Sequence, residues 1–315
     1  MQELVAGVND AGQRLDKFIT KKYKNMPMSM MYKLIRKKKI TVNRKRVKEN
    51  YIVQQGDVIL IFAPDELLTS EKKKPVAAVN KLMVAYEDDN IIIADKEQGL
   101  LVHSDEENGE DTLIDRIIAY LIEKNEYDPE IENSFVPALC NRIDRNTSGL
   151  VIAAKNAQSL REMNEIIKKR QVTKKYLAAV HGVPSQKEGT IKLLLEKDSD
   201  NNIVKVRDNG GKNVKQSVTK YKTVSVSKDK SLSLVEIELV TGRTHQIRAS
   251  FAHIGNPLLG DGKYAVNKKD RAMGYSSQAL CSYSLKFEDL KEYPTLSYLE
   301  GKTVFAKKPD FLKLF

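Results

Sequence analysis

Asp144 is the residue whose surroundings suggest chemistry. It lies between two arginines, Arg142 and Arg145, in the run Asn141-Arg142-Ile143-Asp144-Arg145-Asn146-Thr147-Ser148-Gly149-Leu150. A small polar turn, Asn146 to Gly149, follows at once, and the apolar stretch Leu150-Val151-Ile152-Ala153-Ala154 then predicts a buried strand. A loop just ahead of a core strand is a place where a rigid scaffold can aim a side chain. A carboxylate held there can act as nucleophile or as proton acceptor. An Asp between arginines is by itself more often a surface ion pair, so the rest of the chain has to decide.

Two further segments carry suitable residues. Lys174-Lys175-Tyr176-Leu177-Ala178 predicts a strand bearing one aromatic ring, which on its own is an ordinary half-buried tyrosine. Thr241-Gly242-Arg243-Thr244-His245-Gln246-Ile247-Arg248 predicts a strand-to-helix junction, with Thr244 as cap and Arg243 projecting beside the positive helix end. A carboxylate working among phosphates needs an opposed guanidinium to stay charged. The four histidines, His103, His181, His245 and His253, form no metal-ligand pattern, and no C-x-x-C is present. With no G-x-G-x-x-G and no G-x-x-x-x-G-K-[ST], neither a dinucleotide nor a nucleoside triphosphate is implied. No cofactor is therefore expected.

The elements that must position these residues fall into two parts. Helical spacing of Leu15, Phe18 and Ile19 predicts a helix within Gln13–Tyr23, and Ser29 is expected to cap a second over Met30–Lys37. Ile40-Thr41-Val42, Val47 and Gly56–Phe62 read as short strands. Pro64–Asn80 reads as a linker, with two prolines and a Ser-Glu-Lys-Lys-Lys run. This divides the chain into a small module at 1–63, a linker at 64–80 and a large domain at 81–315. In the large domain, strands are expected at Leu82–Tyr86, Ile91–Ala94, Val172–Val180, Thr190–Leu195, Val218–Val226 and Leu232–Val240. Helices are expected at Thr112–Lys124 and Asn156–Lys169. Strands dominate and helices do not alternate regularly, which favours an α+β fold with a mixed or antiparallel sheet over a doubly wound one. The acidic run Asp105–Asp111 reads as a solvated loop.

Charge separates the same two parts. The net charge is +11. Between Gly12 and Asn50 fourteen basic residues face two acids, so the remainder of the chain is close to neutral. A surplus concentrated in so short a span points to a polyanionic partner. No stretch approaches the ~20 apolar residues that span a bilayer. The N-terminal segment lacks the pattern of a secretory signal. Cys140 and Cys281 make no disulfide framework, so a reducing cytoplasm is the expected compartment.

The decapeptide 141–150 closely resembles the catalytic motif H-R-L-D-x-x-T-S-G-L of the RluA-type pseudouridine synthases. Lys174–Ala178 resembles that family's K-x-Y-L-A strand, Thr241–Arg248 its T-G-R-T-H-Q-I-R motif, and Ser277–Cys281 its R-x-x-L-H-A strand. The small module is similar to the S-four-like RNA-binding domain, whose R-L-D, V-N-G and G-D appear as Arg14-Leu15-Asp16, Val42-Asn43-Arg44 and Gly56-Asp57. Lys38 and Arg44 stand where that domain usually has glycine.

The resemblance implies isomerisation of uridine in RNA to pseudouridine. Large-subunit ribosomal RNA is the first expected substrate and transfer RNA the second, with no metal, no nucleotide cofactor, no membrane and a monomeric protein. Asp144 is then the catalytic residue, Arg243 pairs with it, Tyr176 stacks on the base, and Arg142 helps to open the site. Leu280 packs against the base, and Arg145 and Thr147 touch the substrate. In the small module Arg14, Lys33, Arg36, Lys37, Lys38, Lys39, Asn43 and Arg44 would contact RNA. Two positions depart from the pattern, Asn141 and Cys281, each replacing a histidine. They give weight to a competing reading, a non-catalytic RNA-binding or ribosome-assembly factor on the same fold.

Overall fold

In the computed structural model, residues 1–69, 82–103, 111–198 and 201–315 are described. All of the acidic run except Asp111, and residues 70–80 of the expected linker, lie outside them. The N-terminal module comprises β1 (Gln2–Val5), α1 (Leu15–Lys22), α2 (Met28–Arg36), β2 (Ile40–Val42) and β3 (Val58–Ile61). β3 is the middle strand of an antiparallel sheet between β1 and β2. Leu15, Phe18 and Ile19 of α1 and Met31, Leu34 and Ile35 of α2 bury their apolar stripe against Ile40, Ile59 and Ile61. Leu68 joins that core.

Two local expectations change here. α2 starts at Met28 with Pro27 at its cap, so Ser29 sits inside the first turn. Val47 lies outside any strand, and β1, mostly exposed, gave no alternating apolar signal. Lys38 (φ 57°) and Arg44 (φ 60°) both adopt the left-handed backbone that glycine takes without strain. Both side chains are exposed.

The large domain runs β4 (Val84–Glu87), β5 (Ile91–Lys96), α3 (Leu113–Glu123), β6 (Ala138–Leu139), β7 (Ser148–Ala154), α4 (Ala157–Lys168), β8 (Val172–His181), β9 (Glu188–Asp198) and β10 (Ile203–Arg207). It continues with β11 (Val214–Val226), β12 (Leu232–Leu239), α5 (Gln246–His253), α6 (Lys268–Ala272), β13 (Leu280–Phe287) and β14 (Thr303–Phe305). Its strands form one sheet in the order β10-β9-β11-β12-β8-β13-β7-β5-β4, with β6 on β7 and β14 on β13. Every pairing is antiparallel except β13 with β7, which is parallel and short, Cys281 opposite Ser148 and Ser282 opposite Gly149. The sheet is mixed and the architecture α+β, as the strand-rich pattern predicts.

Helices cover both faces, which explains the unbroken apolar run of β7. Leu150 and Ile152 pack with α4 (Met163, Ile166) and with Leu290, Leu296 and Phe311 of the C-terminal segment. Val151 and Ala153 face the other way, toward α3 (Leu113, Ile117) and α5 (Ile247, Phe251). Capping fixes both predicted helices. Thr112 Oγ1 accepts a bond from the Asp115 amide at 3.3 Å, and Asn156 Oδ1 one from the Ser159 amide at 2.8 Å. Among the described residues no helix is long and apolar enough to cross a membrane.

Polar contacts join the module to the large domain. Buried Asp10 accepts from Ser134 Oγ at 2.5 Å and from Asn133 Nδ2 at 2.9 Å. The Asn9 side chain donates to Glu132 and accepts from the Ala157 amide at the start of α4.

Gly149 is one of the two tightest backbone approaches among the described residues, with Gly260 the other. At Gly149 φ is 105°, and an added Cβ would lie 2.2 Å from the Ser282 carbonyl oxygen. Backbone cannot yield there as a flexible side chain would. Gly149→Ala is therefore expected to lower stability by about 4 kcal/mol or more, seen as loss of soluble folded protein or a collapsed melting temperature. At Lys38 and Arg44 the strain has the opposite consequence. The double change Lys38→Gly, Arg44→Gly should leave the melting temperature of the intact protein equal or higher, since roughly 1 kcal/mol of left-handed strain is removed at each position against a similar gain in unfolded-chain entropy. A clear drop in thermal denaturation would contradict that.

Candidate active site

The loop before β7 is built from both its ends. Ile143 is buried and anchors it, and the Thr147 amide donates to the Asp144 carbonyl at 3.0 Å to close the turn. Thr147 is buried, its hydroxyl receiving a bond from Gln278 Nε2 at 3.3 Å. Beneath the loop lies Lys96, at the end of β5 and 1% exposed. Its ammonium donates to the carbonyls of Arg145 (2.8 Å), Leu100 (2.8 Å) and Glu97 (2.9 Å). Burial pulls this lysine down to about 7, against the opposing charges of Asp144 and Glu97. Three carbonyl acceptors nonetheless need all three of its protons, so the site holds the charged form.

Asp144 opens into a cavity of about 560 Å³ in which Arg142, Thr147, Tyr176, Arg243 and Leu280 also take part. The size suits one extruded nucleotide. β8 and β13 supply its floor, with Leu280 opposite Ala178 and Tyr176 opposite Ser282 in the ladder. Tyr176 and Leu280 are both buried. Burial pushes the Tyr176 phenol up to about 12, with the Asp144 charge acting in the same direction and a bond from Ser282 opposing it. The phenol is therefore neutral. Arg142 is exposed at the mouth.

The partner of Asp144 is not the expected one. Arg243 lies in the cavity wall, but its Nε donates to the Gln216 carbonyl at 3.2 Å. Arg248 instead brings Nη1 to 3.4 Å from Asp144 Oδ2. The reason is where the helix begins. α5 starts at Gln246, with His245 in the cap position at φ 48°, and Thr244 makes no capping bond. This register turns Arg248 inward, 6% exposed, and leaves Arg243 on the loop outside. α5 stops at His253, with Gly255 at φ 81° just beyond it.

Arg248 is fixed before any substrate arrives. Its Nε and Nη2 donate to the two oxygens of buried Asp261 at 2.7 and 2.8 Å. The Lys263 amide adds a bond to Asp261 at 2.9 Å. The guanidinium carbon lies 5.2 Å from the Tyr264 ring centre. His245 completes the surround. Its Nδ1 is 3.0 Å from the Tyr264 hydroxyl, and its Nε2 is 3.8 Å from Asp144 Oδ2. Because the Val204 amide of β10 donates to that same hydroxyl at 2.8 Å, the phenolic proton is free to point at Nδ1. Nε2 then carries the imidazole proton, facing Asp144. Both contacts fall on Oδ2, and Oδ1 has no protein partner among the described residues.

Other expected site residues have other work. Arg145 is exposed and sends Nε to the Gly99 carbonyl at 3.0 Å, away from the cavity lining. Arg14 is held by both oxygens of Asp16, at 3.1 and 2.7 Å. Asn43 donates to Asp57 at 2.7 Å and accepts from the Val58 amide at 2.9 Å, so it serves the turn between β2 and β3. Lys33, Arg36, Lys37, Lys38, Lys39 and Arg44 are exposed on the module. Of the two departures, Asn141 Oδ1 accepts the Ile152 amide at 2.8 Å, and Cys281 is 1% exposed in the core.

Lys96, Arg248, Asp261, His245 and Tyr264 went unmarked in the sequence. A charged residue at the end of the apolar run Ile91–Ala94, and a lone arginine within the wholly buried stretch Ile247–Phe251, were the available signals. Asp261 and Tyr264 gave none, since irregular chain brings them to Arg248.

A family profile described as RNA pseudouridylate synthase matches residues 90–253, and one for the S4 domain matches residues 13–59. An uncharacterised RNA pseudouridine synthase of Mycoplasma capricolum subsp. capricolum is 33% identical over 330 residues, covering 99% of this chain and 99% of that protein. The ribosomal large subunit pseudouridine synthase C of Buchnera aphidicola subsp. Baizongia pistaciae is 34% identical over 271 residues, covering 83% of this chain and 80% of that protein. Among solved structures, human RNA pseudouridylate synthase domain containing 1 superposes with a TM-score of 0.59 at 22% identity, over 76% of this chain and 88% of that one, a likeness of fold.

The Tyr264 hydroxyl sets the proton arrangement beside Asp144, and its removal should be visible in two ways. Burial depresses the His245 pKa, against the charge of Asp144, so the folded protein holds a neutral imidazole. The stability this contributes is present above the ordinary histidine value near 6.5 and is lost as pH falls below it, where only the unfolded chain takes the proton readily. Tyr264→Phe leaves Nδ1 and the Val204 amide unsatisfied, an expected loss of about 1–3 kcal/mol. It also frees Nδ1 to accept a proton next to Asp144, so the acid limb of the pH–rate profile should move to higher pH. An unshifted limb would remove His245 from the site.

Proposed function

The chain belongs to the RNA pseudouridylate synthase family, and we propose that Asp144 is the residue that begins its reaction. The protein is an isomerase acting on uridine in RNA. The bond between ribose C1′ and uracil N1 breaks, the base turns within the site, and C5 bonds to C1′. C5 gives up its proton and N1 gains one, so nothing enters or leaves overall.

The observation that carries the assignment is the asymmetry of the Asp144 carboxylate. Arg248 reaches Oδ2 at 3.4 Å with His245 Nε2 3.8 Å away, while Oδ1 has no protein partner among the described residues and Asp144 lines the cavity with Tyr176 and Leu280. An oxygen presented in this way can attack the sugar or take a proton, while charge at the other is balanced by a guanidinium already locked to Asp261. Tyr176 stacks on the base, its neutral phenol a donor near N1 or the ring carbonyls. Leu280, beside it on the floor, packs against the base as well, and Thr147 supports the turn that aims Asp144. Arg142, exposed at the mouth, takes the space of the extruded nucleotide. Arg243 meets the RNA backbone from the cavity wall.

In the module, Lys33, Arg36, Lys37, Lys38, Lys39 and Arg44 contact phosphates and offset the cost of extruding the base. Arg14 and Asn43 act one step behind, through Asp16 and Asp57. Large-subunit ribosomal RNA is the proposed substrate, supported by the names of relatives that span most of this chain. The protein works as a monomer. The binding-factor reading loses its footing, since Asn141 is bonded to backbone and Cys281 lies in the core.

Tritium release tests the assignment. RNA carrying tritium at uracil C5 loses it to water when pseudouridine forms. Asp144→Asn, close to isosteric, should bring release to the detection limit while RNA binding and melting temperature stay near wild type. Turnover by this variant would disprove the role of Asp144.

A further inference from the structure

Lys174 is a cation in the cleft with no carboxylate or carbonyl partner among the described residues. It shares one face of β8 with Tyr176, two residues along, so the two side chains leave the strand roughly 7 Å apart. Both line the same cavity. Lys174 is half-buried, and burial pulls its ammonium below the ordinary lysine value. Cys140 is the one titratable neighbour acting on it among the described residues, and burial holds that thiol up at about 12, hence uncharged.

The other buried or half-buried lysines of this domain are answered. Lys96 has three carbonyls, Lys155 has Glu87 at 3.1 Å, Lys175, next in the chain, has Glu236 at 2.8 Å, and Lys302 has the Tyr86 hydroxyl at 3.1 Å and its ring. Lys174 has neither carboxylate nor carbonyl among the described residues. A charge withdrawn from water without a partner costs several kcal/mol, so its place in the wall is explained by an anion that arrives from outside. The surroundings agree. Arg142 and Arg170 line the same cavity, and neither has a carboxylate partner among the described residues. Arg170 stands at φ 62° where the chain leaves α4, its amide bonded to the Ile167 carbonyl, and its side chain is exposed.

We propose that Lys174, with Arg170 beside it, forms a phosphate subsite next to the Tyr176 base site and takes a phosphodiester flanking the target uridine. The proposal rests on the reading of the cavity as the uridine site. It differs from the contribution of the N-terminal module in acting on the nucleotide being converted, so it fixes the sugar relative to Asp144 as well as adding affinity.

The test compares intact wild-type, Lys174→Gln and Lys174→Arg proteins on a transcript of large-subunit ribosomal RNA. Lys174→Gln should lower the slope of log affinity against log salt by about 0.7–0.9, the signature of one lost phosphate contact. It should lower kcat/KM for tritium release at least tenfold, mainly through KM. Lys174→Arg should restore most of both. The melting temperature separates this from a structural role, because removal of an unpaired buried charge should raise it. An unchanged salt slope in Lys174→Gln overturns the proposal, whatever the melting temperature does. If that variant does not fold, the lysine spectrum of ε-13C-labelled wild type decides. The Lys174 pKa should rise when a uridine-containing oligoribonucleotide binds, and an unmoved value overturns the proposal. Absence of tritium release by wild type would refute the catalytic reading alone, since the salt slope and the lysine titration judge Lys174 independently of turnover.

Discussion

Everything at the site depends on two residue pairs of parallel ladder between β7 and β13. They join two antiparallel half-sheets, β4-β5-β7 with β6 on one side and β13-β8-β12-β11-β9-β10 on the other. At this seam the backbones approach so closely that only glycine fits at position 149. The loop that precedes the seam belongs to one half-sheet and carries Asp144. Tyr176 and Leu280 belong to the other. A parallel junction sends the chain ends of both strands to the same edge, so the loop and the neighbouring strands face one another without a long excursion by either.

Above this seam the electrostatics are arranged in advance. Arg248, Asp261, His245 and Tyr264 form a closed set in which each polar group has a partner, and the set reaches Asp144 through a single oxygen. Breaking a buried pair such as Arg248–Asp261 costs about 3–5 kcal/mol, so the guanidinium does not wander when the cavity is empty. The negative charge of Asp144 therefore faces a donor already in place, which needs no reorganisation to meet it. Lys96 acts from below by tying the Arg145 carbonyl of the loop to those of Glu97 and Leu100.

Basic charge is used in two distinct ways. On the N-terminal module it is exposed and largely unpaired, the form suited to long-range attraction of a polyanion. In the cleft it is scarce, partly desolvated and aimed. The tie between Asp10 and residues 133–134 connects the two.

Much of this was legible in the residues. The spacing of Leu15, Phe18 and Ile19, the caps Thr112 and Asn156, and the doubly apolar run of β7 specify their elements locally, because each signal and its structural effect lie within one turn or one strand. Asp144, Tyr176, Leu280 and Thr147 line one cavity, and it was their place in motifs resembling those of the family, rather than any local signal, that singled them out. The identity of the arginine facing Asp144 was not legible. Arg243 and Arg248 lie in the same eight residues, and choosing between them requires the start of α5, which His245 sets by adopting a left-handed backbone that no propensity signals. Asp261 and Tyr264 reach the site through irregular chain, and Asn43 and Arg14 turned out to be held by carboxylates distant or adjacent in ways composition does not reveal. The sequence by itself determined which residues could react and which strands would carry them, because those are properties of neighbours along the chain. Only the tertiary structure decided which charges meet, because pairing is settled by helix register and by the seam, where segments far apart in sequence come within a hydrogen bond of one another.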